Sequence, residues 1–237
     1  YLSENFEKVY IIMGNHDLAY REKREINSLP FARHLDNVFL VDEHLTVGDM
    51  TIVPWLVGDE WTNMAKLKSR YVFGHFELPR FKMNAMVEMP DHGELSSDHF
   101  TGFDMTFSGH FHKRQTANNI TYIGNCFPHN YADAGDDARG MMILEWDKEP
   151  EFKSWPRQPI YRVHKLSEIL ENPEGYLLID SHVRVHLDID ISYEEASFIK
   201  EKFLGDYEIR ELTLIAEKKD VEINTDIDIQ AFESVDT

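Results

Sequence analysis

Residues 9–13, Val-Tyr-Ile-Ile-Met, form a short, β-rich apolar run with no charged face. A run of this kind suits a strand covered on both sides, as in the sheet of a layered α/β protein. Gly14 follows at once and permits a sharp exit from the strand. Asn15, His16 and Asp17 come next, three side chains able to bind a metal ion or move a proton. They fall at the C-terminal edge of the strand, where α/β folds place their chemistry. The pattern recurs twice: residues 71–74 lead into His75, and residues 105–108 lead into Gly109-His110-Phe111-His112. Three apolar strands that each run into glycine and histidine predict an α/β fold with imidazoles gathered at one edge of its sheet.

The intervening segments fill in the organisation. Residues 18–27 read as a charged surface helix that Pro30 helps to end. Residues 38–41 are a short strand, and 45–47 with 50–53 a hairpin about Gly48-Asp49. Residues 59–69 predict a helix with Asp59 as its N-cap. The stretch 76–100, rich in Met, Pro and His, reads as a long loop beside the site. Residues 120–123, 141–146 and 160–165 read as strands of a second sheet, and the polar stretch 167–175 as a boundary. Beyond it, 182–190 alternates as a strand, 192–203 is a helix opened by a Ser192/Glu195 capping box, and 207–216 is another strand. The expected division is a main domain at 1–166, a small α+β unit at 176–218 and an acidic tail at 219–237. No P-loop, CxxC or GxSxG motif occurs.

Composition narrows the function classes. With 24 basic and 43 acidic residues the formal charge is −19, which argues against a protein that wraps nucleic acid with a broad basic surface. A nuclease stays open, because bound divalent cations offset local carboxylates and attract phosphate. Basic clusters at 21–24, 66–70 and 80–82 read as solvated faces, whereas Lys113-Arg114, directly behind the third motif, is a candidate substrate contact. The single cysteine, Cys126, excludes an internal disulfide framework and fits a reducing cytoplasm; it reads as an inert buried thiol. No apolar stretch approaches the ~20 residues of a membrane span. The chain opens on Tyr1 inside what reads as the approach to a strand, so preceding sequence is expected to be missing.

Histidine and asparagine at strand ends, without a cysteine partner, suit a mixed nitrogen–oxygen site for manganese, zinc or iron. In an extended segment His110 and His112 point the same way and could straddle two ions. Two ions ~3.5–4 Å apart clamp a phosphoester, activate water and stabilise the leaving oxygen. His16 is placed to donate a proton to the leaving group, with Asp17 fixing its tautomer. The other histidines suggest less. His34, His44 and His92 read as surface residues, His182 and His186 share a strand face without a carboxylate pattern, and His99 and His129 merely lie near the motifs. Met83, Met86 and Met89 read as apolar filling.

The stretches IIMGNHDL, YVFGHFELPRF, SGHFHKRQ and YIGN, with residues 136–140 (DDARG), resemble the calcineurin-like metallophosphoesterases. Within that family the likeness is to the SbcD-type nuclease subunits of double-strand-break repair complexes, phage recombination endonuclease small subunits included. It covers residues 9–165 well and the strand–helix–strand unit more loosely, as that family's capping domain. The resemblance implies a four-layer α/β/β/α sandwich holding two divalent ions, manganese first, with magnesium, zinc or iron as alternatives. It implies that Asn15, His75 and His110 bind the second metal, that His112 binds the first, and that His16 protonates or stabilises the leaving group. The family's earlier Asp-x-His and Gly-Asp-x-x-Asp motifs have no counterpart here. The chain is therefore expected to be an N-terminally shortened fragment with little metal-dependent activity alone. Implied partners are DNA, an SMC-like ATPase of the SbcC type and a second copy of the chain. Residues 227–235 are the expected start of the ATPase-docking segment, and the expected compartment is the cytoplasm, of the host if phage-encoded. The implied function is a DNA endo/exonuclease subunit of a recombination and repair complex. A phosphatase or other phosphodiesterase on the same scaffold, or a non-catalytic scaffold subunit, are the alternatives.

Overall fold

The apolar run at residues 9–13 forms a strand over 9–12, but a half-buried one paired with a single neighbour in a two-stranded sheet, not the strand covered on both faces that its composition predicts. In the computed structural model, which describes residues 1–83 and 87–216, a four-residue turn of helix α1 (Leu2–Asn5) precedes β1 (Val9–Ile12). The next segment departs from expectation: the charged residues 18–27 are a hairpin of β2 (Leu18–Tyr20) and β3 (Lys23–Asn27), not a helix. Long-range anchors override the local helix propensity. Arg24 donates to the carbonyls of Asp42 (2.8 Å) and Trp55 (3.3 Å) and pairs with Glu60, while Ser28 N donates to Asp17 O (2.9 Å) and closes the hairpin. β4 (Val38–Val41) then pairs with β1 in parallel.

The central sheet has six strands. β5 (Leu45–Val47) and β6 (Met50–Val53) make the expected hairpin, with Gly48 at a φ of +57° in its turn. β7 (Tyr71–His75), β8 (Met105–Gly109), β9 (Gln115–Ala117) and β10 (Ile120–Tyr122) complete the order β5-β6-β7-β8-β10-β9. β6, β7, β8 and β10 run in parallel, so their C-terminal ends share one edge. The register sets His75 opposite Gly109. Residues 120–122 thus extend the first sheet. β11 (Gly140–Ile143) and β12 (Glu151–Ser154) form a separate pair, and β13 (Ile160–Lys165) joins a third sheet, so these segments do not share the single second sheet expected of them.

The stretch 76–100 carries little regular structure, as its composition predicts, yet it is core. Phe76, Leu78, Phe81, Met89 and Phe100 are buried with Val53, Val72 and Tyr122 in one apolar cluster. The Tyr122 hydroxyl accepts from Leu78 N (3.1 Å) and donates to Phe76 O (2.9 Å), satisfying backbone that has no sheet partner. Met89 fills apolar space as expected, Met83 is exposed, and Met86 lies outside the described residues. Residues 60–66, expected as a helix, are a 3-10 helix in which Asp59 makes no side-chain cap.

The chain divides into two compact units, residues 1–162 with 180–182, and 163–179 with the described residues from 183 onward. The segment read as a boundary is helical, α2 (Leu166–Glu171) and α3 (Pro173–Tyr176). β14 (Ser181–Leu187), α4 (Tyr193–Asp206) and β15 (Glu211–Ala216) follow, and the three-stranded sheet runs β13-β14-β15. Leu166, Ile169, Val183, Val185, Phe203 and Leu212 form a small core of their own. The capping box is made: Ser192 Oγ accepts from Glu195 N (3.2 Å), and Ser192 N donates to Glu195 Oε2 (2.8 Å). Residues 217–218 of the expected α+β unit and the tail at 219–237 lie outside the described residues. The architecture is mixed α/β about a central sheet, and among the described residues no helix is long and apolar enough to cross a membrane.

Candidate metal centre

The C-terminal ends of β1, β6, β7 and β8 supply the site. Behind β1 the chain closes a tight turn, in which Gly14 N donates to Asp17 Oδ2 (2.8 Å) and Asp17 N to Gly14 O (3.2 Å). The turn half-buries Asn15 and leaves His16 exposed. Asn15 Oδ1 lies 2.9 Å from His75 Nε2 and 3.3 Å from His110 Nδ1, and the two ring nitrogens are 3.3 Å apart. Residues 60 and 95 positions apart in sequence to Asn15 therefore meet at one point. Glycines make the approach possible: a Cβ on Gly14 would fall 2.9 Å from His75 Cε1, and one on Gly109 3.0 Å from His75 Nδ1. The imidazole is slotted between two backbones.

His110 adopts a φ of +84°, so the chain leaves its extended path there and the expected common direction of His110 and His112 does not arise. His110 turns to Asn15 and His75. His112 instead lies with Nδ1 3.9 Å from Asp133 Oδ1, its ring centroid 5.7 Å from that of His129. Asp133 is buried and held on all sides, accepting from Arg139 Nη2 (3.0 Å), Asn125 Nδ2 (3.3 Å) and His129 N (2.9 Å). Asp17 is spent on the Gly14 backbone rather than oriented onto His16. Arg114 lies with its guanidinium 3.7 Å from the centroid of Phe152, and Lys113 O accepts from Gln115 Nε2 (3.3 Å). Cys126 is exposed, not buried, in the loop beyond β10.

Burial holds His75 neutral, pushing its pKa down to about 4, with the nearby His110 and His16 adding to the shift. Burial also lowers His110 and His112, against the opposing pull of Glu77 on the first and Asp133 on the second. His16 lies close enough for its charge to depress all three. Neutral imidazoles keep the lone pairs a metal needs. Donors bound ~2.1 Å from one ion at ordinary angles are about 3.0–3.4 Å from each other, the spacing of Asn15, His75 and His110. The donor set fits one divalent ion. Among the described residues no group of three His, Cys, Asp or Glu side chains has metal-site geometry, so the cluster owes its third member to an amide oxygen.

Three participants escape the sequence patterns. Trp55, one residue past Pro54 behind β6, donates its backbone N–H to Met13 O (2.7 Å) and sets its ring centroid 5.3 Å from His110 and 6.0 Å from His75. Its signal was the apolar run that ends just before it. Arg21, in the β2–β3 turn, covers the Trp55 ring at 5.3 Å and pairs with Glu77 at 2.5 Å. Asp133 is the third, since nothing local marks it as the partner of Arg139 and His112.

Fold and site together define a mixed α/β protein with a cluster of nitrogen and oxygen side-chain donors at the ends of its strands. Among proteins of known activity, the chain is similar to exonuclease subunit 1 of enterobacteria phage T4, at 28% identity over 167 residues covering 65% of this chain and 48% of that protein. The chain spans about half the length of this curated relative. No family model matches it.

Proposed function

We propose that the chain is the nuclease subunit of a recombination and double-strand-break repair complex, hydrolysing DNA phosphodiesters with two divalent ions, manganese first. The observation that carries this reading is the convergence of Asn15, His75 and His110 within 3.3 Å of one another. The similarity to a phage exonuclease subunit supports the choice of a nuclease over a phosphatase. Asn15, His75 and His110 would hold one ion, and His112, backed by Asp133, would contribute to a second. Bound metal supplies Lewis-acid stabilisation of phosphate charge and a more acidic water. The chain's own contributions are distinct. His16, exposed beside the three other histidines, donates a proton to the departing sugar oxygen. The turn closed by Asp17 on Gly14 holds Asn15 half-buried at the cluster and leaves the neighbouring His16 exposed. Trp55 excludes water from one flank of the cluster.

On this reading the larger unit is the nuclease domain (1–166) of a four-layer α/β/β/α sandwich. Residues 176–218 are its capping domain, and the tail from 219 leads to an SMC-like ATPase of the SbcC type. The active form pairs two copies on DNA in the cytoplasm. Calorimetric titration with Mn2+ tests the core of the proposal. His75→Ala and Asn15→Ala should each weaken the wild-type isotherm at least about ten-fold. His16→Ala should leave it unchanged while slowing cleavage of linear duplex by the assembled complex about 10²-fold or more. Unchanged Mn2+ binding in His75→Ala would overturn the assignment.

A further inference from the structure

Next to the ligand cluster lies a cavity of about 640 Å³, and the ring of His75 forms part of its wall. That volume is typical of a small-molecule site and exceeds what a metal-bound phosphate needs. Two indoles line it, Trp55 and Trp61, over an apolar floor that includes Phe76 and Leu95. Trp61 is half-buried, with its plane set by an edge-on contact to His99 at 5.5 Å between centroids.

Charge decides what the cavity accepts. Among its lining residues Arg21 is the one side chain with a fixed positive charge, and Glu77 neutralises it at 2.5 Å. Glu22, whose carboxylate accepts from Gly58 N (3.3 Å), Asp59 and Glu94 add further acidic side chains to the lining. A second phosphate would meet net negative charge, so the continuing DNA backbone has no place there. A neutral, flat heterocycle has one. It can stack on indole, and its ring and exocyclic N–H groups can donate to the carboxylates.

We infer that this cavity is a nucleobase pocket, which receives the unstacked base of the nucleotide flanking the scissile phosphate. The inference rests on the nuclease reading for its phosphate, but not for its base. The shared wall at His75 links the two: a phosphate at the cluster places an adjoining base at the cavity mouth. A base can enter only after leaving its stack, which is cheapest at a frayed or single-stranded end. The pocket therefore selects unpaired termini over duplex interior, by shape and stacking rather than by sequence.

The test uses the full chain with Mn2+ and two probes. The first is free deoxyadenosine, followed by saturation-transfer NMR on its base protons. The second is a five-nucleotide single strand, intact or with an abasic residue at either end in turn, followed by fluorescence anisotropy. Wild type should transfer saturation to deoxyadenosine and bind the intact strand about ten-fold more tightly than the strand abasic at one of its ends. Trp61→Ala should abolish both effects without weakening the hold on that abasic strand, and Trp61→Phe, which keeps a stacking face, should retain them. Equal affinity for intact and abasic strands, or no transfer to deoxyadenosine, would overturn the pocket. Transfer to deoxyadenosine with no binding of any strand would leave the pocket standing and defeat the nuclease reading. The wild-type comparison stands by itself should Trp61→Ala fail to fold.

Discussion

His75 shows how one side chain can carry a site. Its ring is held between Gly14 and Gly109 with no room for a Cβ on either side. Gly109→Ala must push the imidazole by a few tenths of an ångström, and Mn2+ affinity by calorimetry should fall about ten-fold with only a small drop in melting temperature. The same ring makes stability pH-dependent. Its pKa is lowered in the fold to about 4, below the 6.5 of an unfolded histidine, so the folded state binds fewer protons between these values. The stabilisation is complete above pH 6.5 and is lost as pH falls to 4. Urea titrations in chelator should show unfolding free energy falling by up to about 3 kcal/mol across that window, and His75→Gln should flatten the slope. Asn15, His75 and His110 were legible in the sequence because each follows an apolar strand at a glycine. Trp55 and Asp133 were not, since their relevance lies in neighbours brought up by other strands.

At the scale of elements, local signals read true where the element closes on itself. The Ser192/Glu195 box caps α4 as its spacing requires, and Ser192→Ala should cost about 1 kcal/mol by thermal denaturation. The β5–β6 hairpin about Gly48 is another such case. Residues 18–27 mislead because their conformation is set from outside. Arg24 reaches the Asp42 and Trp55 carbonyls, and these contacts reward a hairpin over a helix. Arg24→Ala takes the donor from two carbonyls at a partly buried position and leaves Glu60 with Val57 N as its hydrogen-bond donor, and should destabilise the protein by about 1–2 kcal/mol in chemical denaturation. Residues 76–100 mislead differently: their apolar side chains are spaced irregularly, so no period announces the core they build.

For the whole molecule, a charge of −19 sets how it can meet DNA. Without divalent cations long-range repulsion should dominate, so anisotropy with labelled duplex should show no binding in chelator. Saturable binding should appear with Mn2+, and its dependence on monovalent salt should be shallow because few phosphates meet Lys or Arg. The parallel core was legible in outline from the strand-end motifs of β7 and β8, whereas the placing of β1 with β4 in a sheet of their own and the allotment of the later strands to three sheets were not, because pairing partners leave no mark in a single strand. One consequence follows from the pairing of His75 with Gly109 across β7 and β8. A one-residue slip of β7 would turn the imidazole to the opposite face, and a one-residue slip of β8 would set a bulkier neighbour where the glycine stands. Capture on an immobilised Mn2+ resin would thus sort refolded chains by strand alignment, with mispaired molecules passing straight through.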